Sequence, residues 1–238
     1  SMSDAYEALA LVKYNQWDNS LNDNILSESG KYIKQLLQNA QIQNSPVMME
    51  YEENYAFWKD EYRNNITSII IEDKIDNDKI NNAVEYWDVS FMKNNSVIAY
   101  IENDSENVGK YILYITGEDG VYSPPNSSFL FSDFTSLKNV DFNNLDTSNV
   151  NNMGNMFSGN IELESINLDN FNTNMVRRMN GMFYNCSKLK ELDLSKLNMS
   201  DMYQVNDMFR GCTRLESIKF PNEVSFSEGN MICLFSRM

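Results

Sequence analysis

The sequence predicts an α+β chain with three parts: a helical segment over 1–64, a small β or α+β cap over 65–129, and a solenoid over 130–238. Two observations predict the solenoid, namely a fixed recurrence of phenylalanine and a set of apolar columns in register with it. A third, the complete absence of histidine, bounds the chemistry.

Phenylalanine stands at Phe131, Phe157, Phe183, Phe209 and Phe235, always 26 residues apart. Leu130, Met156, Met182, Met208 and Leu234 precede them. Leu137, Leu163, Leu189 and Leu215 form the next column, then Val140, Ile166, Leu192 and Ile218, then Phe142, Leu168, Leu194 and Phe220. Two later columns read Val150, Val176, Met202, Glu228 and Met153, Met179, Val205, Met231. One unit cannot bury these columns alone, but stacked units turn each into a continuous apolar stripe. The alternation Leu192-Asp193-Leu194 is strand-like, with the aspartate outward. Met-Phe opens each unit, in a turn or short helix on the opposite wall.

The segment Met182-Phe-Tyr-Asn-Cys-Ser-Lys-Leu-Lys-Glu-Leu-Asp-Leu-Ser195 resembles the repeat of BspA-type leucine-rich-repeat proteins, the 26-residue repeat of bacterial surface lipoproteins. Leu145-Asp-Thr-Ser-Asn-Val150 followed by Met153 matches its second half. The resemblance covers about 130–235 and implies a leucine-rich-repeat-like solenoid of about four coils. More loosely, Trp87-Asp-Val-Ser90, Ser96-Val-Ile-Ala-Tyr100 and the stretch 120–128 resemble the segment preceding such repeats. The last unit departs from the pattern, with Pro221 after its strand and Glu228 in an apolar column, as a terminal cap or a shortened array would.

Upstream, Asp4 is a helix cap for a segment running to about Tyr14. Ile25, Tyr32, Ile33, Leu36 and Leu37 share one side of a helix over 24–40. Ser45-Pro46 reads as the start of a third helix reaching about Arg63 and carrying Tyr51, Tyr55 and Trp58. Strands are expected at 66–71, 84–89, 97–101 and 111–115, separated by Asn-, Asp- and Gly-containing turns. No linker separates them from the first coil, so the two parts should share a core.

Lys and Arg number 19 against 34 Asp and Glu, a net charge of −15. Such a chain repels phosphate backbones, so nucleic acid is not an expected partner. No apolar run reaches the roughly 18–20 residues of a spanning helix, so direct membrane insertion is not expected either. Ser1-Met2 reads as the scar of a cleaved tag, so localisation cannot be read from the first residues. Without histidine the chain lacks the usual general base and the commonest metal ligand. No cofactor, metal or catalytic residue is assigned, and the chain is read as a non-enzyme.

Cys186 and Cys212 lie one period apart, in a column that also holds Asn160, and are expected to be buried free thiols. Cys233 falls in another column. Asp73, Asp76, Asn77 and Asp78 lack the Gly and the spaced Glu of an EF-hand and read as a solvated turn. The outward strand positions Asn139, Asp141, Ser165, Asn167, Glu191, Asp193, Ser217 and Lys219 form the candidate binding face, with exposed Tyr184 and Tyr203 as competitors.

The resemblance implies a secreted or cell-surface bacterial binding module of the adhesin type, recognising host proteins or glycans. A second reading is a structural part of a fibre or phage-tail-like assembly, attached or oligomerised through the helices of 1–64. A third is a glycan-active enzyme using a pair of carboxylates.

Overall fold

A computed structural model describes residues 46–48, 58–91, 93–224 and 234. These belong to one compact unit over 46–238. The expected helices over 4–14 and 24–40, Tyr51, Tyr55 and Cys233 lie outside the described residues.

The elements run α1 (Asp60–Arg63), β1 (Ile66–Glu72), α2 (Asn77–Asn82), β2 (Glu85–Asp88), β3 (Ile98–Asn103), β4 (Tyr111–Thr116), β5 (Val121–Tyr122), β6 (Asn139–Asp141), β7 (Leu145–Asp146), β8 (Glu191–Asp193) and β9 (Ser217–Lys219). The four upstream strands fall close to where the turn-bounded apolar runs place them. Ile69 and Ile71 in β1, Leu113 and Ile115 in β4, and Ala99 and Ile101 in β3 are buried on one face of the sheet, and β3 also buries Ile98 and Tyr100 on the other. Asp76 caps α2 by accepting from the backbone N–H groups of Asp78 (3.0 Å) and Lys79 (3.2 Å), which is what the acidic turn at 73–78 does.

The expected third helix does not form as read. Pro46–Met48 is extended: the Met48 N–H donates to Tyr122 (3.0 Å), the Tyr122 N–H to Pro46 (2.8 Å) and the Phe91 N–H to Val47 (2.8 Å). Tertiary pairing overrides the Ser-Pro start signal, and α1 is a single turn.

The expected fold class is also corrected. Among the described residues the chain is mostly β, in one mixed five-stranded sheet and two two-stranded sheets, with two short helices. A leucine-rich-repeat-like solenoid, with each unit adding a strand to one continuous sheet, is not what these residues form. The five-stranded sheet has the order β2-β3-β4-β1-β6, so β6 of the first unit pairs in parallel with β1 rather than with the second unit. Residues 165–167 of the second unit form no strand. Only β8 and β9 pair as adjacent units, Glu191 with Ser217 and Asp193 with Lys219.

Between the first and second units the interior holds Phe142 and Phe171, whose ring centroids are 5.8 Å apart. At the next junction the same two columns supply Leu168 and Leu197, and there too 165–167 form no strand beside β8. The break in the sheet therefore belongs to the 165–167 backbone, which pairs with neither neighbour within the roughly 4.7–4.9 Å that a ladder needs.

The opposite wall is regular. The N–H of Phe131 donates to Met156 (2.9 Å), Phe157 to Met182 (2.9 Å), Phe183 to Met208 (3.0 Å) and Phe209 to Leu234 (3.3 Å). Behind these bonds the Phe131, Phe157, Phe183 and Phe209 rings stack at 5.7–6.2 Å. Trp58 begins the pile, stacked on Phe131 at 6.0 Å while its ring N–H donates to the Leu130 carbonyl. All these rings are buried, and one apolar cluster runs from Met48 and Trp58 through the units to Leu234.

Turns on this wall carry two columns of left-handed residues, Phe129, Asn155, Gly181, Asp207 and Asp133, Gly159, Asn185, Gly211. At Gly181 (φ +60°) a Cβ would collide with Asn155 Oδ1 of the preceding unit, so a glycine here answers both the backbone angle and the neighbour's side chain.

Candidate functional site

The eight outward residues are all exposed, and the structure divides them into two groups. At the β8–β9 end the polar atoms satisfy one another. Lys219 Nζ lies 2.9 Å from Asp193, and the Ser195 hydroxyl donates to the same carboxylate at 2.6 Å. The Ser195 hydroxyl first, and then Lys219, hold the Asp193 carboxyl well below the usual carboxylate range, and Asp193 in turn raises Lys219. Lys190 pairs with Glu164 at 2.5 Å and Lys188 with Glu162 at 2.6 Å, each one unit apart, and the Lys190 contact depresses Glu164. Glu191 and Ser217 stand opposite each other on β8 and β9.

At the β6 end there is a cleft of about 200 Å³, lined by Val140, Asp141, Phe142, Asn143, Asn167, Asn170 and Phe171. Phe142 and Phe171 lie at its base and are themselves buried. Of the predicted residues Asp141 and Asn167 line it, whereas Ser165 is exposed beside it and Asn139 faces out next to β1.

The polar groups of the cleft are partly committed. Asp141 Oδ1 accepts the Asn143 N–H at 3.0 Å, Asn167 Oδ1 accepts the Asp169 N–H at 2.9 Å, and Asn143 Oδ1 accepts from Asn170 Nδ2 at 2.9 Å. Asp141 Oδ2 and Asn170 Oδ1 are left as acceptors, and the Asn143 and Asn167 amide nitrogens as donors. None of these four atoms has a partner among the described residues.

Beyond the repeats the polar face gives way to an apolar one. Ser68 and Ile70 of β1 stand opposite Asn139 and Asp141, β4 places Ile112 and Tyr114 next in line, and Tyr114 packs on a second buried cluster of Ile80, Ile98 and Tyr100. Sequence reading missed Asn143, Asn170 and Phe171 in the cleft.

The competing aromatics are engaged with arginines. Arg178 Nε donates to the Tyr203 hydroxyl at 2.7 Å, and Arg210 lies 5.6 Å above the Tyr184 ring. Cys186 and Cys212 are free and buried. Their Sγ–H groups reach the carbonyls of Phe157 (3.1 Å) and Phe183 (3.0 Å), as Asn160 Nδ2 reaches Phe131 (3.0 Å). The column therefore selects a small donor. Burial pushes the Cys212 thiol up to about 11 and Cys186 well above the usual range, which makes both poor nucleophiles.

The described residues thus form units stacked turn to turn along one wall, with a small polar cleft in one face. A family described as "Mycoplasma protein of unknown function, DUF285" matches residues 126–224, less than half of the chain. That interval begins at the Asn126–Asn152 bridge and ends at the Met199–Val224 bridge, so it coincides with the stacked units. No curated protein and no solved structure matches the chain. Among the described residues no helix is long and apolar enough to cross a membrane, and no group of His, Cys, Asp and Glu is placed to hold a metal ion.

Proposed function

We propose that this chain is a non-catalytic binding module of the secreted or surface-displayed adhesin type, and that it engages a protein or glycan through the cleft at the β6 end of its polar face. The observation that carries this reading is the contrast within the face. The carboxylates and lysines of the β8–β9 end neutralise one another, while Asp141, Asn143, Asn167 and Asn170 keep unsatisfied polar atoms around a cavity. A rigid wall of stacked rings behind the cleft pre-organises it, which lowers the entropy cost of binding. The missing histidine supports binding over acyl transfer or proton relay.

The test is binding of the purified chain to immobilised matrix proteins and a glycan array, at low and high salt. It is run beside Asp141→Ala/Asn167→Ala and beside Glu191→Ala at the other end of the face. Saturable binding that the cleft pair abolishes and Glu191→Ala leaves intact is the expected result. Binding that survives the cleft pair removes the site from this cleft, and no binding to any member of either panel sinks the adhesin reading.

A further inference from the structure

The free atoms of the cleft specify more than a generic ligand. We infer that the cleft takes a neutral pyranose ring, such as the terminal sugar of a glycan; the inference rests on the binding role proposed above.

Size is the first argument. At about 200 Å³ the cleft is smaller than the roughly 300–1,000 Å³ of pockets that enclose a drug-sized ligand. A single ring or one amino-acid side chain is what fits.

Hydrogen-bond complementarity then separates a sugar ring from a charged side chain. The uncommitted atoms are two acceptors, Asp141 Oδ2 and Asn170 Oδ1, and two donors, the amide nitrogens of Asn143 and Asn167. An arginine or lysine side chain brings donors and no acceptor, so it would leave both amide nitrogens facing N–H groups. A carboxylate side chain brings only acceptors and would meet Asp141 head on. Sugar hydroxyls donate and accept at once, and neighbouring hydroxyls on a ring can answer a mixed set of this kind. Phe142 and Phe171 are buried, so they close the cleft with only their edges and the contact to a ring is mainly polar.

Charge sets the selectivity. Asp141 is the only charged residue lining the cleft, and the chain carries −15 overall, so uronic and sialic acids should be turned away. Affinity for one ring should be weak, in the millimolar range, and useful binding would come from several sugars presented together.

The experiment is saturation-transfer NMR on the folded chain with methyl glucoside, galactoside, mannoside and N-acetylglucosaminide as probes. Methyl glucuronide and arginine methyl ester are run in parallel. At least one neutral glycoside should bind, and Asn167→Ala should weaken it about tenfold, the loss of one hydrogen bond in a small contact. Asp141→Asn keeps the turn acceptor for the Asn143 N–H and removes the charge, so it should admit the glucuronide that the parent excludes. Thermal unfolding of Asp141→Asn should match the parent, whereas Asn167→Ala also loses the turn bond from the Asp169 N–H and should shift by no more than a few degrees. If arginine methyl ester binds and the variants weaken it while no glycoside does, the sugar assignment is overturned and the cleft remains a protein-binding site. Silence of every probe, or glycoside binding indifferent to both variants, also overturns it. In those cases the immobilised panel, which presents proteins and extended glycans, decides the broader reading separately.

Discussion

The junction between the first and second units and the junction between the third and fourth share a register but do different things. At the third–fourth junction β8 and β9 pair directly, and an ion pair from Asp193 to Lys219 covers the outer face. At the first–second junction β6, paired to β1 on one side, is the edge of its sheet, and a cleft opens where the next strand would be. On the opposite wall the two junctions are alike, with the same turn-to-turn hydrogen bonds and stacked rings. A periodic wall can therefore hold one side of the molecule constant while the other side varies, and the cleft arises without an inserted loop.

The comparison can be broken at four points. The largest effect should come from the shared wall. Phe183 is fully buried between Phe157 and Phe209, and Phe183→Ala should cost about 3–5 kcal/mol, read from the urea midpoint of unfolding. A cost below about 1 kcal/mol would mean that the ring pile is not the core it is taken to be.

Next is the turn wall. Gly181→Ala places a Cβ against Asn155 Oδ1 at a left-handed backbone angle and should cost about 1–3 kcal/mol. Asn155→Gly in the same chain should recover part of that loss, because it removes the colliding atom. Additive costs in the double variant would show that the backbone angle alone is responsible.

The third test makes the first–second junction resemble its neighbours. Phe142→Leu/Phe171→Leu should cost about 1–2 kcal/mol and shrink the cleft. Ligand binding should fall. Unchanged binding would show that these two rings do not shape the cleft.

The smallest effect concerns the ion pairs. The folded-state values of Asp193 and Glu164 are depressed, so their contribution is present above the unfolded values near pH 4 and is lost as the pH falls through the folded ones. Asp193→Asn should therefore slightly flatten the acid limb of the stability profile and leave stability at neutral pH almost unchanged, since exposed pairs are screened. A large loss at pH 7 would show that the β8–β9 end depends on this pair.

Much of the architecture was legible because it is local or periodic. The strands at 66–72, 98–103 and 111–116 follow from alternation, and the buried columns follow from the 26-residue period. The burial of Cys186 and Cys212 follows from their place beside Asn160 in one column. Pro46 was misread because a Ser-Pro start signal is local, whereas its strand-like pairing comes from Tyr122, far along the chain. Asn143 and Asn170 were missed for a similar reason, since they meet only once two units are stacked.

The sequence by itself determined the period, the apolar columns, the outward exposure of Asn139, Asp141, Ser165, Asn167, Glu191, Asp193, Ser217 and Lys219, and the lack of histidine chemistry. Only the tertiary structure decided which strands pair, and with that the loss of the expected continuous sheet and the position of the cleft. The physical reason is that apolar spacing fixes which side chains go inside, a property of each residue and its neighbours. Pairing depends on whether two backbones come within hydrogen-bonding distance along their whole length, which no single residue or spacing sets.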